Sequence, residues 1–165
     1  MDAFATARLN ATRLARQDLP DLVELHRDEA VSRFLGGVRS AETTAAYLET
    51  NLRHWDEHGV GLWTFRTPDG VFVGRAGLRW ITLEGVADFE IAYALARRAW
   101  GQGYATEIAD ALTAFWMGHR TEPSLVGVVV KGNQPSENVL LKSGFLFERD
   151  AAFHGEACSV FRRRR

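Results

Sequence analysis

The chain has 165 residues, of which 46% are hydrophobic and 25% charged, and its formal net charge is −1. This size and composition predict one domain, residues 1–165, with a core of its own. The small net charge predicts no general attraction to nucleic acid, and the single cysteine excludes an intramolecular disulfide and a cysteine-rich metal site. Because we find no charged leader with an apolar stretch and no long apolar run, we expect a cytoplasmic protein without a membrane partner.

The first half of the chain predicts a mixture of strands and helices. Its longer helical segment carries the apolar residues on a single stripe, as amphipathic helices do. Thr67-Pro68-Asp69-Gly70 is a strong turn signal between two strands. The predicted elements are a strand at 8–13, helices at 18–27 and 40–55, and strands at 62–66 and 71–80.

Residues 89–95 predict a strand with two different faces, because side chains alternate along a strand with period two. One face is bulky and apolar. The other combines a carboxylate with two small residues, which leaves room for an extended ligand against the backbone. The bulky face consists of Phe89, Ile91, Tyr93 and Leu95, and the opposite face of Glu90, Ala92 and Ala94.

A helix is predicted to begin close to Gly103, since apolar residues recur at helical spacing from Ala105 to Trp116. Gly101 and Gly103 then lie in the turn before it. Glycine lets the main chain approach a ligand closely, and the N–H groups of a helix start favour an anion such as a pyrophosphate. The alternative is an ordinary strand-to-helix turn without a ligand. A dinucleotide fingerprint would need a third glycine at Thr106, and the Gly-Lys-Ser/Thr of a P-loop is absent.

The last part of the chain predicts a buried strand at 126–130, a short helix, and closing strands at 145–149 and 157–162. Asn133 is placed to cap the helix and Gly144 to end it. The order of elements predicts the α/β class, with a mixed sheet and helices on both of its sides. The four arginines at 162–165 are expected to form a solvated end.

His54, Glu57 and His58 raise a separate hypothesis, because His-x-x-Glu-His is the pattern of inverted zinc proteases. On a helix the two histidines would share one face. Such a site needs a further ligand downstream, and histidine also suits the end of a helix that Gly59 stops. We therefore expect no metal and keep a zinc hydrolase only as an alternative.

The run Arg98-Ala99-Trp100-Gly101-Gln102-Gly103 resembles the acyl-CoA pyrophosphate loop, Arg/Gln-x-x-Gly-x-Gly/Ala, of the GNAT superfamily of N-acetyltransferases. The longer stretch from Trp100 to Glu107 is similar to the branch with the ribosomal-protein N-terminal acetyltransferases (RimJ/RimL-like). The segment from Asn133 to Phe145 follows in the family's order and separation. The resemblance covers nearly the whole chain and implies a mixed, mostly antiparallel central sheet flanked by helices.

The resemblance implies transfer of an acetyl group from acetyl-CoA, the co-substrate, to a primary amine of a protein N-terminus or a small molecule. A protonated amine needs a base, for which Glu90 is the candidate, with an ion pair as its other role. Many family members use a tyrosine to protonate the thiolate, but the matching residue is Leu140, so Ser136 is the candidate acid. The residues expected to bind acetyl-CoA are Tyr93, Leu95, Arg98, Gly101, Gln102, Gly103, Tyr104, Ala105, Thr106, Asn133 and Asn138.

Trp63 and Trp80 are expected either in the core or beside the amine acceptor. The identity of the acceptor, the length of the acyl group and the formation of a homodimer stay open. Two alternative functions also stay open. One is a non-catalytic acyl-CoA-binding sensor, which would bind the donor without turnover. The other is the zinc hydrolase.

Overall fold

The computed structural model describes residues 1–165 and contains eight strands and five α-helices. The strands are β1 (Ala3–Ala5), β2 (Asn10–Arg13), β3 (Leu62–Arg66), β4 (Phe72–Leu83), β5 (Val86–Leu95), β6 (Ser124–Val130), β7 (Leu146–Phe153) and β8 (Glu156–Arg164). The helices are α1 (Leu19–Arg27), α2 (Glu29–Ser32), α3 (Ala41–His58), α4 (Tyr104–His119) and α5 (Gln134–Lys142). None of these helices combines the length and the apolar character that crossing a membrane requires.

All eight strands belong to one sheet, in the order β1-β2-β3-β4-β5-β6-β8-β7. β5 and β6 run parallel, with Glu90 opposite Val126. The antiparallel pairs are β1 with β2, β2 with β3, β3 with β4, β6 with β8 and β7 with β8. The prediction of a mixed, mostly antiparallel sheet flanked by helices is therefore confirmed.

Most predicted elements are present, with their ends displaced by a few residues. The strand expected from residue 8 begins at Asn10, because Thr6 and Leu9 close a turn in which the Thr6 N–H donates to Leu9 O over 2.8 Å. The helix expected to end at 55 continues to His58 and stops at Gly59, whose φ of +65° is left-handed. The sequence does not predict β1 and α2, since elements of three or four residues are too short to show a periodicity.

The chain divides into two compact units. Unit 1 comprises Met1–Gly77 and Tyr93–Tyr104, and unit 2 comprises Leu78–Ala92 and Ala105–Arg165. Unit 1 holds β1 to β3, α1 to α3 and the turn at 97–103 that precedes α4. Unit 2 holds β6 to β8, α5 and all of α4 beyond its first residue. β4 and β5 contribute residues to both units.

Aromatic rings pack together in the core of unit 1. Trp63 is 0% exposed, and its ring meets those of Phe4 and Trp55 edge-on, at 5.5 and 4.9 Å between ring centres. Trp55 also donates its indole N–H to Leu62 O over 2.8 Å. Because Trp63 does not reach the surface, its burial supports the first of its two expected positions, the core.

A second buried group of unit 1 is polar. His26 is fully buried, with Nδ1 lying 3.1 Å from Thr44 Oγ1 and the ring packed edge-on against Tyr47. The guanidinium groups of Arg39 and Arg75 lie 5.0 and 5.4 Å from the centre of the Tyr47 ring. Burial, followed by the positive charges of Arg75 and Arg39, lowers the pKa of His26 from 6.5 to about 3.

This histidine is expected to make the folded state sensitive to acid. His26 stays neutral in the folded protein down to about pH 3, whereas in the unfolded chain it binds a proton below about pH 6.5. The unfolded state then binds more protons. The free energy of unfolding should therefore decrease as the pH is lowered through this range, by up to about 1.4 kcal/mol per pH unit from this group.

Urea unfolding of His26→Gln at pH values between about 4 and 7 measures this contribution, as the slope of the unfolding free energy against pH. The variant should show a smaller slope than the wild type, even where the substitution costs stability at every pH. Equal slopes for wild type and His26→Gln would contradict the argument from burial.

The terminal arginines of unit 2 make hydrogen bonds within the folded structure, and of the four only Arg164 and Arg165 are exposed as the prediction of a solvated end requires. Arg162 donates to both oxygens of Asp88, over 2.9 and 2.7 Å, and to Glu148 over 2.8 Å. The hydrogen bonds to Asp88 are the main cause of its raised pKa. Arg165 donates to Trp116 O over 3.0 Å, near the C-terminal end of α4, where cations are favoured. The pairing of β8 with β7 brings Glu148 to Arg162, and Asp88 of β5, the strand beyond β6, lies within hydrogen-bond distance of the same guanidinium.

Candidate active site

The turn between β5 and α4, residues 97–103, has the geometry of an anion site. Gly101 and Gly103 have φ values of +72° and +78°, in the left-handed region that favours glycine. Residues 100–103 are exposed, and α4 begins directly after them at Tyr104. The first N–H groups of a helix have no partner within it and lie at the positive end of its dipole. Because the turn is open to solvent, an anion can reach these main-chain donors.

The side chains of the turn donate to its own main chain. Gln102 Nε2 donates to Arg98 O over 2.8 Å, and Trp100 Nε1 donates to Leu95 O over 2.9 Å. Both bonds hold the turn in one conformation. The side chains of the motif therefore shape the turn, and its main-chain amides are the groups that a ligand can use.

Arg98 joins the turn to α1. Its guanidinium donates to Glu24 Oε1 over 2.8 Å and to Phe72 O over 3.2 Å. A cleft of about 200 Å³ lies beside Arg97 and Arg98 and has acidic side chains in its wall. These acids are already paired with arginines, Glu24 with Arg98 and Asp28 with Arg97. The cleft is therefore bordered by structural ion pairs, and Arg98 contributes by holding the turn.

Arg8, in the connection between β1 and β2, belongs to this site although the sequence assigns it no role. Its Nη1 donates to Gln102 O over 2.9 Å, and its guanidinium carbon lies 4.5 Å from the centre of the Tyr104 ring. Arg8 and Gln102 are 94 positions apart. A contact over this separation depends on the tertiary fold, so no local pattern signals it.

The other predicted donor-binding residues of this region flank the turn. Tyr93 and Leu95 lie at the end of β5, where Leu95 is buried and Tyr93 half-buried. Tyr104, Ala105 and Thr106 form the first turn of α4 and are half-buried. The predicted group from 93 to 106 is thus one continuous stretch, with the exposed glycine turn near its middle.

Glu90, the predicted base, lies on β5 in unit 2 and is only 4% exposed. Its Oε2 accepts a hydrogen bond from Arg79 Nε of β4 over 2.7 Å. The ion pair that the sequence leaves as its other role is therefore present. An ionised carboxylate has lone pairs beyond those used by one guanidinium, so Oε1 remains able to accept a hydrogen bond from an amine or a water.

Trp80 is a partly exposed aromatic side chain of the same unit. It is 38% exposed, and its ring packs against Phe89 with 5.2 Å between the ring centres. Trp80 thus presents an apolar surface to solvent, which Trp63 does not.

α5 carries the remaining predicted residues. Asn133 caps the helix, since its Oδ1 accepts from the Ser136 N–H over 3.4 Å, and Ser136 is half-buried in the first turn. Asn138, two residues further along α5, is exposed. Leu140, at the position of the family's tyrosine, is 1% exposed and packs against Gly127 of β6. Position 140 therefore offers no proton donor.

The two histidines of the zinc hypothesis do share a face of α3, with 4.4 Å between their ring centres. His54 Nδ1 lies 2.8 Å from Val60 O, to which it donates, and His58 Nε2 lies 3.9 Å from Glu57 Oε2. The structure contains no group of three or more histidine, cysteine, aspartate or glutamate side chains that could hold a metal ion. The zinc hypothesis thus has no third ligand in this geometry.

Sequence comparison identifies a family for the whole region described above. The family model of the acetyltransferase (GNAT) domain matches residues 8–146. The protein YkkB of Bacillus subtilis (strain 168) is 28% identical over 141 residues, which cover 85% of this chain and 82% of YkkB.

Solved structures share the fold. An acetyltransferase from Agrobacterium tumefaciens str. C58 has a TM-score of 0.88 at 23% identity, over 100% of this chain and 95% of that one. RimL, a ribosomal L7/L12 α-N-protein acetyltransferase solved in complex with coenzyme A, has a TM-score of 0.80 at 18% identity, over 98% and 97% of the two chains. The family match includes the glycine turn, Glu90 and α5, and the chain therefore belongs to the family of GNAT acetyltransferase domains, whose reaction is acetyl transfer.

Proposed function

We propose that the protein transfers an acetyl group from acetyl-CoA to a primary amine. The observation that carries this proposal is the glycine turn, where two residues with left-handed φ lie exposed directly before α4. The diphosphate of acetyl-CoA is the kind of anion that the N–H groups of a helix start bind. RimL, which has the same fold, is described in complex with coenzyme A, and this supports the same donor.

Several residues along the chain are proposed to bind acetyl-CoA, the acetyl donor. The N–H groups from Gly101 onward hold the diphosphate, Arg98 and Gln102 keep the turn in shape, and Tyr93 and Leu95 border the pantetheine arm. The family resemblance supports donor contacts for Asn133 and Asn138 as well. Trp80 is the aromatic residue proposed to contact the acceptor, because its ring is partly exposed.

The chemistry requires a proton to leave the amine and a proton to reach the sulfur. An alkylamine is mostly protonated at neutral pH, so its nitrogen must lose a proton before it attacks the thioester carbon. Glu90 accepts that proton, directly or through a water, while Arg79 fixes its carboxylate. Main-chain N–H groups of β5 stabilise the oxygen as negative charge develops on it. The carbon–sulfur bond then breaks and the thiolate takes a proton from the Ser136 hydroxyl. The second proton that the attacking nitrogen loses returns through water to the serine oxygen.

Ser136→Ala tests the proposed acid. The variant should lower kcat by about a hundredfold, the lower end of the usual effect of a general acid, and leave the affinity for acetyl-CoA nearly unchanged. This separation is expected because the hydroxyl acts only as the thiolate leaves. Steady-state kinetics and calorimetric titration with acetyl-CoA measure the two quantities.

Asn133→Ala is the matched control on the same helix turn. The cap runs from the Ser136 N–H to the Asn133 side chain, so Ser136→Ala preserves it and Asn133→Ala removes it. The control should lower stability or donor affinity more than kcat. If Ser136→Ala instead reduced kcat and affinity equally, the serine would have a binding role and not an acid role.

Several properties of the protein belong to the same proposal. We treat residues 1–165 as one functional domain, because the family match runs through both units. The acceptor is an amine of a protein N-terminus or of a small molecule, RimL being an example of the former. A cytoplasmic location, without nucleic acid or membrane partners, agrees with the net charge of −1, and a homodimer is one arrangement to test.

A non-catalytic acyl-CoA sensor is the second candidate, favoured by the Glu90–Arg79 ion pair and by the buried Leu140. An acceptor screen distinguishes the two functions. Acetyl-CoA and a longer acyl-CoA are incubated with peptides of different N-terminal residues, with polyamines and with amino acids, and released thiol is followed. Thiol release with an amine supports the transferase. Calorimetric binding of CoA without turnover identifies the sensor, and absence of binding contradicts both.

A further inference from the structure

Arg8 meets the glycine turn at three consecutive residues. It donates to the carbonyl of Gln102 over 2.9 Å, and its guanidinium lies over the ring of Tyr104. Between these two contacts, Arg8 Nη2 would be 3.5 Å from a Cβ on Gly103. The guanidinium therefore lies against the end of the turn and the first residue of α4.

The bond to Gln102 has a consequence for the next N–H group. The carbonyl of Gln102 and the N–H of Gly103 belong to the same peptide unit, which is planar and trans. In such a unit the C=O and the N–H point in opposite directions. By holding the carbonyl toward itself, Arg8 directs the Gly103 N–H to the opposite side, and a rotation of this peptide would turn that donor away.

The contact of Arg8 with the Tyr104 ring fixes the position of the first residue of α4 relative to the turn. A guanidinium over an aromatic face is attracted by the ring, and Tyr104 is the residue with which α4 begins. The planar, forked guanidinium of arginine can donate to a carbonyl and stack on a ring at the same time. The ammonium of lysine can reach one of these groups at a time.

We propose that Arg8 is a positioning residue for the diphosphate of the donor. It orients the Gly103 N–H through the Gln102 carbonyl and fixes Tyr104 at the start of α4. The inference rests on the proposed function, since it concerns how the same turn binds acetyl-CoA. Its specific consequence is that Arg8 contributes to the binding of the phosphate-containing part of CoA and not to that of the thiol arm.

Calorimetric titration with two probes tests this consequence. CoA contains the diphosphate, and pantetheine, titrated at millimolar concentration, has the same thiol arm without it. Arg8→Ala should weaken CoA binding about tenfold, as expected for the loss of a hydrogen bond from a charged donor. The same variant should bind pantetheine as the wild type does. Arg8→Lys should bind CoA with intermediate affinity, since it keeps the charge without the fork.

Arg13→Ala is the matched control. Arg13 makes the same kinds of contact elsewhere in unit 1, with a 2.6 Å bond to Asp56 and its guanidinium over the Trp55 ring. Its loss should leave the affinities for both probes unchanged. Thermal melting shows which variants are folded. If Arg8→Ala is not folded, the affinities of Arg8→Lys for CoA and pantetheine test the inference in its place.

Unchanged CoA affinity in folded Arg8→Ala would overturn the inference, and so would equal losses for CoA and pantetheine. A wild-type protein that binds no CoA would instead overturn the proposed function, and the role of Arg8 with it. These outcomes are distinct, because the first two require normal CoA binding by the wild type.

Discussion

Gly103→Val is expected to lower the affinity for acetyl-CoA by at least about a hundredfold, since the proposed binding of the diphosphate uses several hydrogen bonds from this turn. Gly103 has a φ of +78°, where a β-branched residue is strained, and its Cβ would lie 3.5 Å from Arg8 Nη2. The turn must change conformation to accept valine, and its N–H groups then change direction. Calorimetric titration with acetyl-CoA measures the loss.

Gly70→Val provides the control for backbone strain. Gly70 lies in the turn between β3 and β4 with a φ of +89° and open space around its Cβ position, so valine imposes a similar strain there. This variant should bind acetyl-CoA normally, and thermal melting of both variants shows the cost in stability. A folded Gly103→Val protein with wild-type affinity would remove the glycine turn from donor binding.

Glu90→Gln is expected to reduce kcat/KM by roughly a hundredfold or more, the usual effect of losing a general base. Glutamine has the same size and accepts hydrogen bonds, but it takes up no proton. Raising the pH deprotonates more of the amine substrate and should partly restore the activity of the variant. A pH–rate profile of wild type and variant, with an amine from the acceptor screen, measures both effects.

Arg79→Gln distinguishes the role of the Glu90 carboxylate from the role of its ion pair with Arg79. It removes the 2.7 Å hydrogen bond from Arg79 and keeps the carboxylate of Glu90. If Glu90 is the base, Glu90→Gln should lose more activity than Arg79→Gln, and only the former should recover at high pH. Equal and pH-independent losses in the two variants would identify the ion pair as structural and remove Glu90 from proton transfer.

The local structure that the sequence predicts correctly in this region has local causes. Gly101 and Gly103 adopt left-handed φ values because they form a tight turn between a strand and a helix that both have clear periodicity. Asn133 caps α5, and Gly144 follows its end with a φ of +81°, as their residue types indicate. Each of these predictions depends only on residues that lie close together in the sequence.

The parts that the sequence does not predict depend on contacts between elements. Alternation along β5 gives the face of Glu90, but the partner Arg79 is 11 positions away, and the register of the hairpin decides whether the two side chains meet. Arg8 and Gln102 lie still farther apart in the chain. From the sequence alone the terminal arginines are predicted to be solvated, because the pairing of β8 with β6 and β7 is not visible in it.

The packing of Leu140 on Gly127 makes the residue at each of these positions depend on the other. A Cβ on residue 127 would lie 2.5 Å from Leu140 Cδ1, so the leucine requires a glycine beneath it. A tyrosine at 140, as in many members of the family, would need more room in a site that is already closed. A change of Leu140 to tyrosine is therefore expected to destabilise the protein unless the residues around position 140 change with it.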